Sequence, residues 1–192
     1  MNYSVTKNGK PLSKSLYTFD EETRTFFSNE DGLVFDFNNI GGATFKTGSS
    51  CTFKTGSSCT FETGYYCTFD TGSRCTFKTG SSCTFDTGSY CTFDTESYCT
   101  FKTGYYCTFK TGSDCTFNTG SGCTFETGKD CVVVRRDIFE VITLTEGITI
   151  KLNEAGASGY TIIEQEHTIV IDGKEIKISE ESFKNLKESL GE

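Results

Sequence analysis

Cys51-Thr52-Phe53-Lys54-Thr55-Gly56-Ser57-Ser58 is one copy of an eight-residue unit, Cys-Thr-Phe-x-Thr-Gly-x-x, that runs through the middle of the chain without an insertion. Phe45 to Phe125 mark eleven copies, and Cys51 to Cys131 gives eleven cysteines at the same spacing. A unit this short cannot bury an apolar face of its own and must stack on its neighbours, so the period predicts a solenoid. Polarity alternates from Cys51 to Thr55, the pattern of a strand with Cys and Phe on one face. Gly56-Ser57-Ser58 reads as a corner in which glycine supplies unusual dihedrals. The Phe face points inward, because eleven rings turned outward would exceed any apolar patch that soluble monomers expose. The second Thr of each unit, Thr47, Thr55 and their equivalents, shares the inward parity, and its hydroxyl is expected to bond the turn backbone. Glu96 stands where the other units have Gly, so that corner either tolerates negative φ or is strained.

The variable fourth position sets the coil length. Taken every 16 residues it reads Lys46, Glu62, Lys78, Asp94, Lys110, Glu126, alternating in sign throughout. Rungs of a parallel solenoid lie about 4.8 Å apart, where opposite charges pair and like charges repel. The interleaved series Lys54, Asp70, Asp86, Lys102, Asn118 has one like-charge step, whereas a 24-residue coil would stack Lys54, Lys78 and Lys102 directly. The expected fold is therefore an all-β, two-sided parallel β-solenoid with two octads per coil. Five to six coils would make a rod of roughly 25 Å, with Phe and Cys filling a narrow core between two sheets.

The sequence on either side does not repeat. Residues 1–42 are expected to form an N-terminal β cap, 43–131 the solenoid, and 132–192 a β-rich C-terminal cap ending in a short helix. Leu16 to Phe19 and Thr23 to Phe27 flank Asp20-Glu21-Glu22 as a hairpin, and Leu33 to Phe37 is a third strand leading into the first octad, where Ala43 replaces Cys. Strands are expected at Ile138 to Leu144, Ile148 to Leu152 and Tyr160 to Ile163. His167 to Ile171 and Lys174 to Ile178 flank Asp172-Gly173, a two-residue hairpin signal. Ser179 caps a helix with Phe183, Leu186 and Leu190 on one face and Gly191 as its stop. Val132, Ile138 and Ile142 at one end, and Phe35 and Phe37 at the other, should cover the terminal Phe rings.

The net charge of −8 is uneven: four basic against six acidic residues over 1–42, seven against eight over 43–131, and seven against twelve over 132–192. A near-neutral array argues against nucleic acid as a partner, since counterion-release binding needs clustered Lys and Arg. No apolar run of membrane-spanning length occurs, and the first ten residues carry no apolar segment of the signal-peptide kind. With an odd number of cysteines, this points to a cytoplasmic location and free thiols.

The octads followed by Cys131-Val132-Val133-Val134-Arg135-Arg136-Asp137 resemble a family of uncharacterised repeat proteins from bacteriophage and other viral genomes, over residues 16–145. The resemblance implies a viral or phage source, and hence a host-cell cytoplasm, with no activity or functional residues to carry over. In architecture the array is similar to insect antifreeze proteins and calcium-binding RTX β-rolls. It lacks the Thr-x-Thr of the first and the Gly-Gly-x-Gly-x-Asp of the second.

Candidate chemistry is sparse. The cysteines form no Cys-x-x-Cys pair, so they read as small apolar core residues, without a metal or a cofactor. His167, the one histidine, has no Cys or Ser partner marked by motif and reads as a packed or surface residue. Tyr66, Tyr90, Tyr98 and Tyr106 fall at corners, and with a 16-residue coil Tyr90 stacks on Tyr106. Exposed aromatics on a rigid edge suit a protein partner, and equally suit cross-rung packing. Arg135 and Arg136, with Asp137, could form a small ion-pair cluster where the array ends, and read either as solvated surface charges at a domain junction or as a partner contact. No convergent acid, base and nucleophile set is visible. The expected function is thus a non-enzymatic structural or interaction scaffold, monomeric or a small homo-oligomer. A DNA-mimic inhibitor is the first alternative, opposed by the neutral array. An ice-binding face on the outward column Thr44 to Thr124 is the second, opposed by the charges beside it.

Overall fold

A computed structural model describes residues 3–37, 40–164, 166–171 and 174–190. It divides into two compact units, Met1–Thr161 and Ile162–Glu192. The first opens with β1 (Ser4–Lys7), β2 (Lys10–Pro11), β3 (Thr18–Asp20), β4 (Thr25–Phe27) and β5 (Leu33–Phe37). Eleven octad strands follow, from β6 (Thr44–Lys46) to β16 (Thr124–Glu126). Then come β17 (Val132–Arg135), β18 (Glu140–Thr143), β19 (Ile150–Leu152) and β20 (Tyr160–Ile162). Successive octad strands alternate between two ten-stranded sheets. This is the two-sided parallel β-solenoid, and residues 16 apart are register partners: Phe61, Phe77 and Phe93 in one sheet, Phe69, Phe85 and Phe101 in the other.

Phenylalanine fills the space between the sheets. Along a sheet the rings stack nearly parallel, Phe69 on Phe85 at 4.9 Å and 3°. Across the core they meet edge to face, Phe77 against Phe85 at 5.2 Å and 76°. All eleven octad rings are buried, and burying each contributes about 1.5–3 kcal/mol. Cysteine occupies the inward slot ahead of each ring because its sulfur can bond the corner. Cys83 Sγ lies 3.7 Å from the Gly64 carbonyl of the coil below, and it accepts the Cys67 amide at 3.4 Å. Thr55, Thr71, Thr87 and Thr119 bond the carbonyl of the next residue, as parity implies; Thr47 and Thr103 leave their buried hydroxyls without a partner.

At the corners the reading of glycine is corrected. The residue with positive φ is the eighth of each octad, from Ser58 (60°) through Tyr90 (61°) to Asp130 (56°), while the sixth-position glycines of the array keep negative φ. What those glycines supply is room. A Cβ on Gly88 would lie 2.2 Å from Ser73 Oγ and 2.8 Å from the Ser73 amide nitrogen. That serine hydroxyl accepts the Ser89 amide at 3.1 Å, and Ser57 does the same for Ser73. Glycine and the serine below it are therefore one device repeated up the corner. Glu96 keeps negative φ, as one of the two expectations had it. Its carboxylate takes the Ser81 hydroxyl at 2.7 Å. Glycine-to-glycine backbone bonds link Gly48, Gly64 and Gly80 below it and Gly112 and Gly128 above, with no such bond at Glu96 among the described residues.

The parallel stack is longer than the octads. β4 and β5 already form a coil beneath the first octads, Phe26 under Phe45 and Phe35 under Phe53, and β17 adds a rung on top, Val133 over Phe117. There are seven strands per stack instead of five to six coils, because only inward apolar parity is needed to join and the octad motif is not. Val133, not Val132, takes the inward position, with Ile142, Ile150 and Leu152 buried around it. At both ends of both sheets an antiparallel strand closes the stack: β1 on β5, β3 on β4, β18 on β17 and β19 on β16. A further hairpin, β1–β2, precedes these, turning at Asn8-Gly9, both at positive φ, a two-residue turn signal. Leu16 lies in a 3-10 turn, not a strand.

In the second unit β21 (Glu166–Ile171) pairs antiparallel with β22 (Lys174–Ser179), and α1 (Glu180–Leu190) follows. The Ser182 amide bonds Ser179 Oγ at 3.3 Å, as a cap does. Asp172-Gly173 and Gly191 lie outside the described residues.

The corner device is testable. Gly88→Ala should cost about 1–3 kcal/mol in urea unfolding, because the Ser73 hydroxyl and, behind it, the Ser73 backbone both obstruct the new methyl group. Unchanged stability would show that the corner has slack.

Candidate interaction surface

The tyrosines divide between the two edges of the solenoid. Corner residues 58, 74, 90, 106 and 122 form one column, and 50, 66, 82, 98, 114 and 130 the other. On the first edge Tyr90 stacks on Tyr106 at 5.4 Å and 16°, as the 16-residue coil requires, and Arg74 lies over the other side of Tyr90 at 5.9 Å. The Tyr106 hydroxyl donates to Glu154 at 2.8 Å, which raises its pKa through that hydrogen bond and the adjoining negative charge. Gly120 and Gly122 seat these rings, since a Cβ on either would lie 2.4 or 2.5 Å from Tyr105 or Tyr106. The rings of this edge are tied into cross-rung contacts, while Tyr90 and Tyr106 keep 56% and 42% exposure. On the opposite edge Tyr66 and Tyr98 are 63% and 65% exposed, with Tyr65 edge-on to Tyr66 at 5.5 Å. Two coils, or about 10 Å, separate Tyr66 from Tyr98, and Ser82 lies between. The structure thus joins Tyr90 with Tyr106, leaves Tyr66 and Tyr98 spaced, and keeps the two pairs on separate edges.

The arginines diverge. Arg136 is exposed and donates to the Thr103 carbonyl. Arg135 is 0% exposed, so it is neither a partner contact nor a solvated charge at a junction. Its guanidinium holds Asp137 at 2.8 Å and Glu140 at 3.4 Å, and donates to the carbonyls of Ala157 at 2.7 Å and Asn153 at 3.3 Å. Glu140 in turn accepts the Gly159 amide at 2.9 Å. The loop 153–159 is therefore folded around one cation. Burial opposes ionisation of Asp137, but the Arg135 hydrogen bond and charge outweigh it and hold the carboxyl below its usual range. Sequence reasoning saw the adjacent charges; the carbonyls that complete the shell carry no sequence signal. Arg135→Ala strands two carboxylates and several carbonyls, so unfolding should become easier by about 3–5 kcal/mol, with Arg135→Lys recovering only part. A loss under about 1 kcal/mol would show the cluster to be solvent-relaxed.

All eleven cysteines are free and buried, in two ladders: Cys51 to Cys131 by sixteens, and Cys59 to Cys123. Hydrogen bonds shared along the ladders push Cys75, Cys83, Cys107 and Cys115 up and Cys67, Cys91 and Cys99 down, while burial raises every one of them. A shared hydrogen bond lowers one thiol as it raises its partner, so burial sets the direction for each ladder as a whole and opposes ionisation. Since unfolded thiols ionise near about 8.5, the unfolded state loses protons first as pH rises. The stability the ladders contribute is full below that value and declines above it. The melting midpoint should accordingly fall above about pH 8.5. A native thiol assay should detect few groups and denaturation all eleven. Ready native labelling would show that the ladders open.

His167 stacks on Phe183 at 4.0 Å in the second unit, the packed reading of that residue. Phe139 had no sequence signal: it is 88% exposed at φ 55°, on the turn between β17 and β18. Outward faces carry threonine and paired charge, with Lys46 to Glu62 at 3.1 Å, Lys102 to Asp86 at 2.6 Å and Lys110 to Glu126 at 3.2 Å. No group of three or more metal-ligating side chains occurs among the described residues, and no described helix is long and apolar enough to cross a membrane. Comparison with protein-family models, with curated proteins and with solved structures finds no match, so neither a family nor a viral origin is supported by them.

Proposed function

We propose that the chain is a non-enzymatic scaffold, phage- or virus-encoded as the octad's resemblance implies. Its solenoid presents one tyrosine-bearing edge to a protein partner in the cytoplasm. The observation that carries this reading is the difference between the edges. Tyr90 and Tyr106, 56% and 42% exposed, are tied to each other and to Arg74 and Glu154. Tyr65, Tyr66 and Tyr98 stay exposed on a backbone locked by ring stacking below. Rigid aromatics lose little entropy on binding and dominate interface energetics. The spacing of Tyr66 and Tyr98, about 10 Å, leaves room for one flat side chain between two rings, over Ser82. The paired charge ladders favour neither alternative. They neutralise the acidic stripe a DNA mimic needs, and they set ions beside every threonine of a would-be ice face.

The test is affinity capture from lysate of the source cells, with wild type, Tyr66→Ala/Tyr98→Ala and Tyr90→Ala compared. A specific protein retained by wild type and Tyr90→Ala but lost by the double variant is the expected result. Capture that is indifferent to Tyr66 and Tyr98 would remove this edge from the function.

A further inference from the structure

The second unit has an incomplete core. On one side of its hairpin His167 faces Ile178 and Ile169 faces Ile176, and α1 lays Phe183 over His167. Among the described side chains from 162 to 190 none is buried; Ile176 is 41% exposed and Leu190 68%. The sheet has two strands, a size that is marginal in water unless more strands or another layer join it.

The outer strand carries its own complement. We propose that residues 162–190 are a self-association module, in which β22 pairs antiparallel with β22 of a second copy about a twofold axis through Ile176. In that register Glu175 of one copy faces Lys177 of the other, twice, and Ile176 faces Ile176. Lys174 faces Ile178, where its methylene stem covers the apolar side chain. The two hairpins become one four-stranded sheet. A continuous row, Ile169-Ile176-Ile176-Ile169, crosses it on the side where both helices lie. Lys177 already holds Glu166 of its own hairpin at 2.8 Å, so it would sit between two carboxylates. The other edge offers no such match, since β21 has no lysine or arginine. A twofold axis repeats each complementary pair, so closure leaves no β22 edge open.

Sedimentation of the full chain over a wide concentration range tests this. The mass should rise from monomer to dimer and no further. Ile176→Lys should raise the dissociation constant about tenfold or more. Glu175→Lys, which sets lysine against lysine across the axis, should do the same. Combining Glu175→Lys with Lys177→Glu restores opposite signs and should recover dimerisation, a rescue that misfolding would not produce; circular dichroism of each variant checks the fold. A chain that stays monomeric at its highest concentration overturns the proposal. So does a dimer unmoved by either single variant, or the absence of rescue in the double variant.

Discussion

The solenoid depends on one spacing being shared by two interactions. Parallel strands repeat at about 4.8 Å, and the phenylalanine rings of one column stack at 4.8–5.1 Å. Backbone pairing and ring packing are satisfied by the same translation, so no coil has to compromise one for the other. The edge-to-face contact with the opposite column then fixes the distance between sheets, and aromatic pairs favour both geometries. Leucine or isoleucine would fill the volume without setting a repeat distance. The Cys and Thr positions follow from this: what remains of the narrow inner space is small, and both residues can bond the corner carbonyls that bound it.

The corners show how strain and space are separated. Ten non-glycine residues adopt left-handed backbone at the eighth octad position, at about 1–2 kcal/mol each. Inter-coil bonds hold them there, as Ser58 N–H to the Ser73 carbonyl at 2.9 Å. Glycine, the residue that would adopt this conformation freely, stands two positions earlier, where the coil below, most often through a serine, crowds a methyl group. Glu96 is accommodated there without the inter-coil backbone bond its glycine counterparts make among the described residues, and its carboxylate takes the Ser81 hydroxyl. Tyrosine at the eighth position adds exposed area without altering the path, which is how two edges with one backbone acquire different surfaces.

The coil length was legible because charge alternation at Lys46 to Glu126 has no reason to exist at any other register. Inward and outward faces were equally plain from period-two polarity. Less could be read at the ends, where β4, β5 and β17 join the stack through apolar parity alone, and at Gly56, whose role lies in a clash with a residue from another coil. Arg135 reads as a surface charge beside Arg136 until chain direction places it on the inward side of the last rung. The tyrosines' stacking followed from the period, but which edge remains open did not. That depends on Glu154, which lies outside the repeat, and on Gly122, which stands where the other octads carry a side chain.

Because consecutive octads alternate between sheets, every strand carries a parity. The antiparallel strands that close the stack are matched to it: β18 lies on the odd sheet and β19 on the even one. Gain or loss of a single octad would deliver the exit segment to the wrong sheet and transpose the two closures. Gain or loss of two leaves every junction as it was. Tandem duplication and deletion, to which such repetitive coding sequence is prone, should therefore be tolerated only in steps of sixteen codons, and length variants in a population would be expected to differ by whole coils.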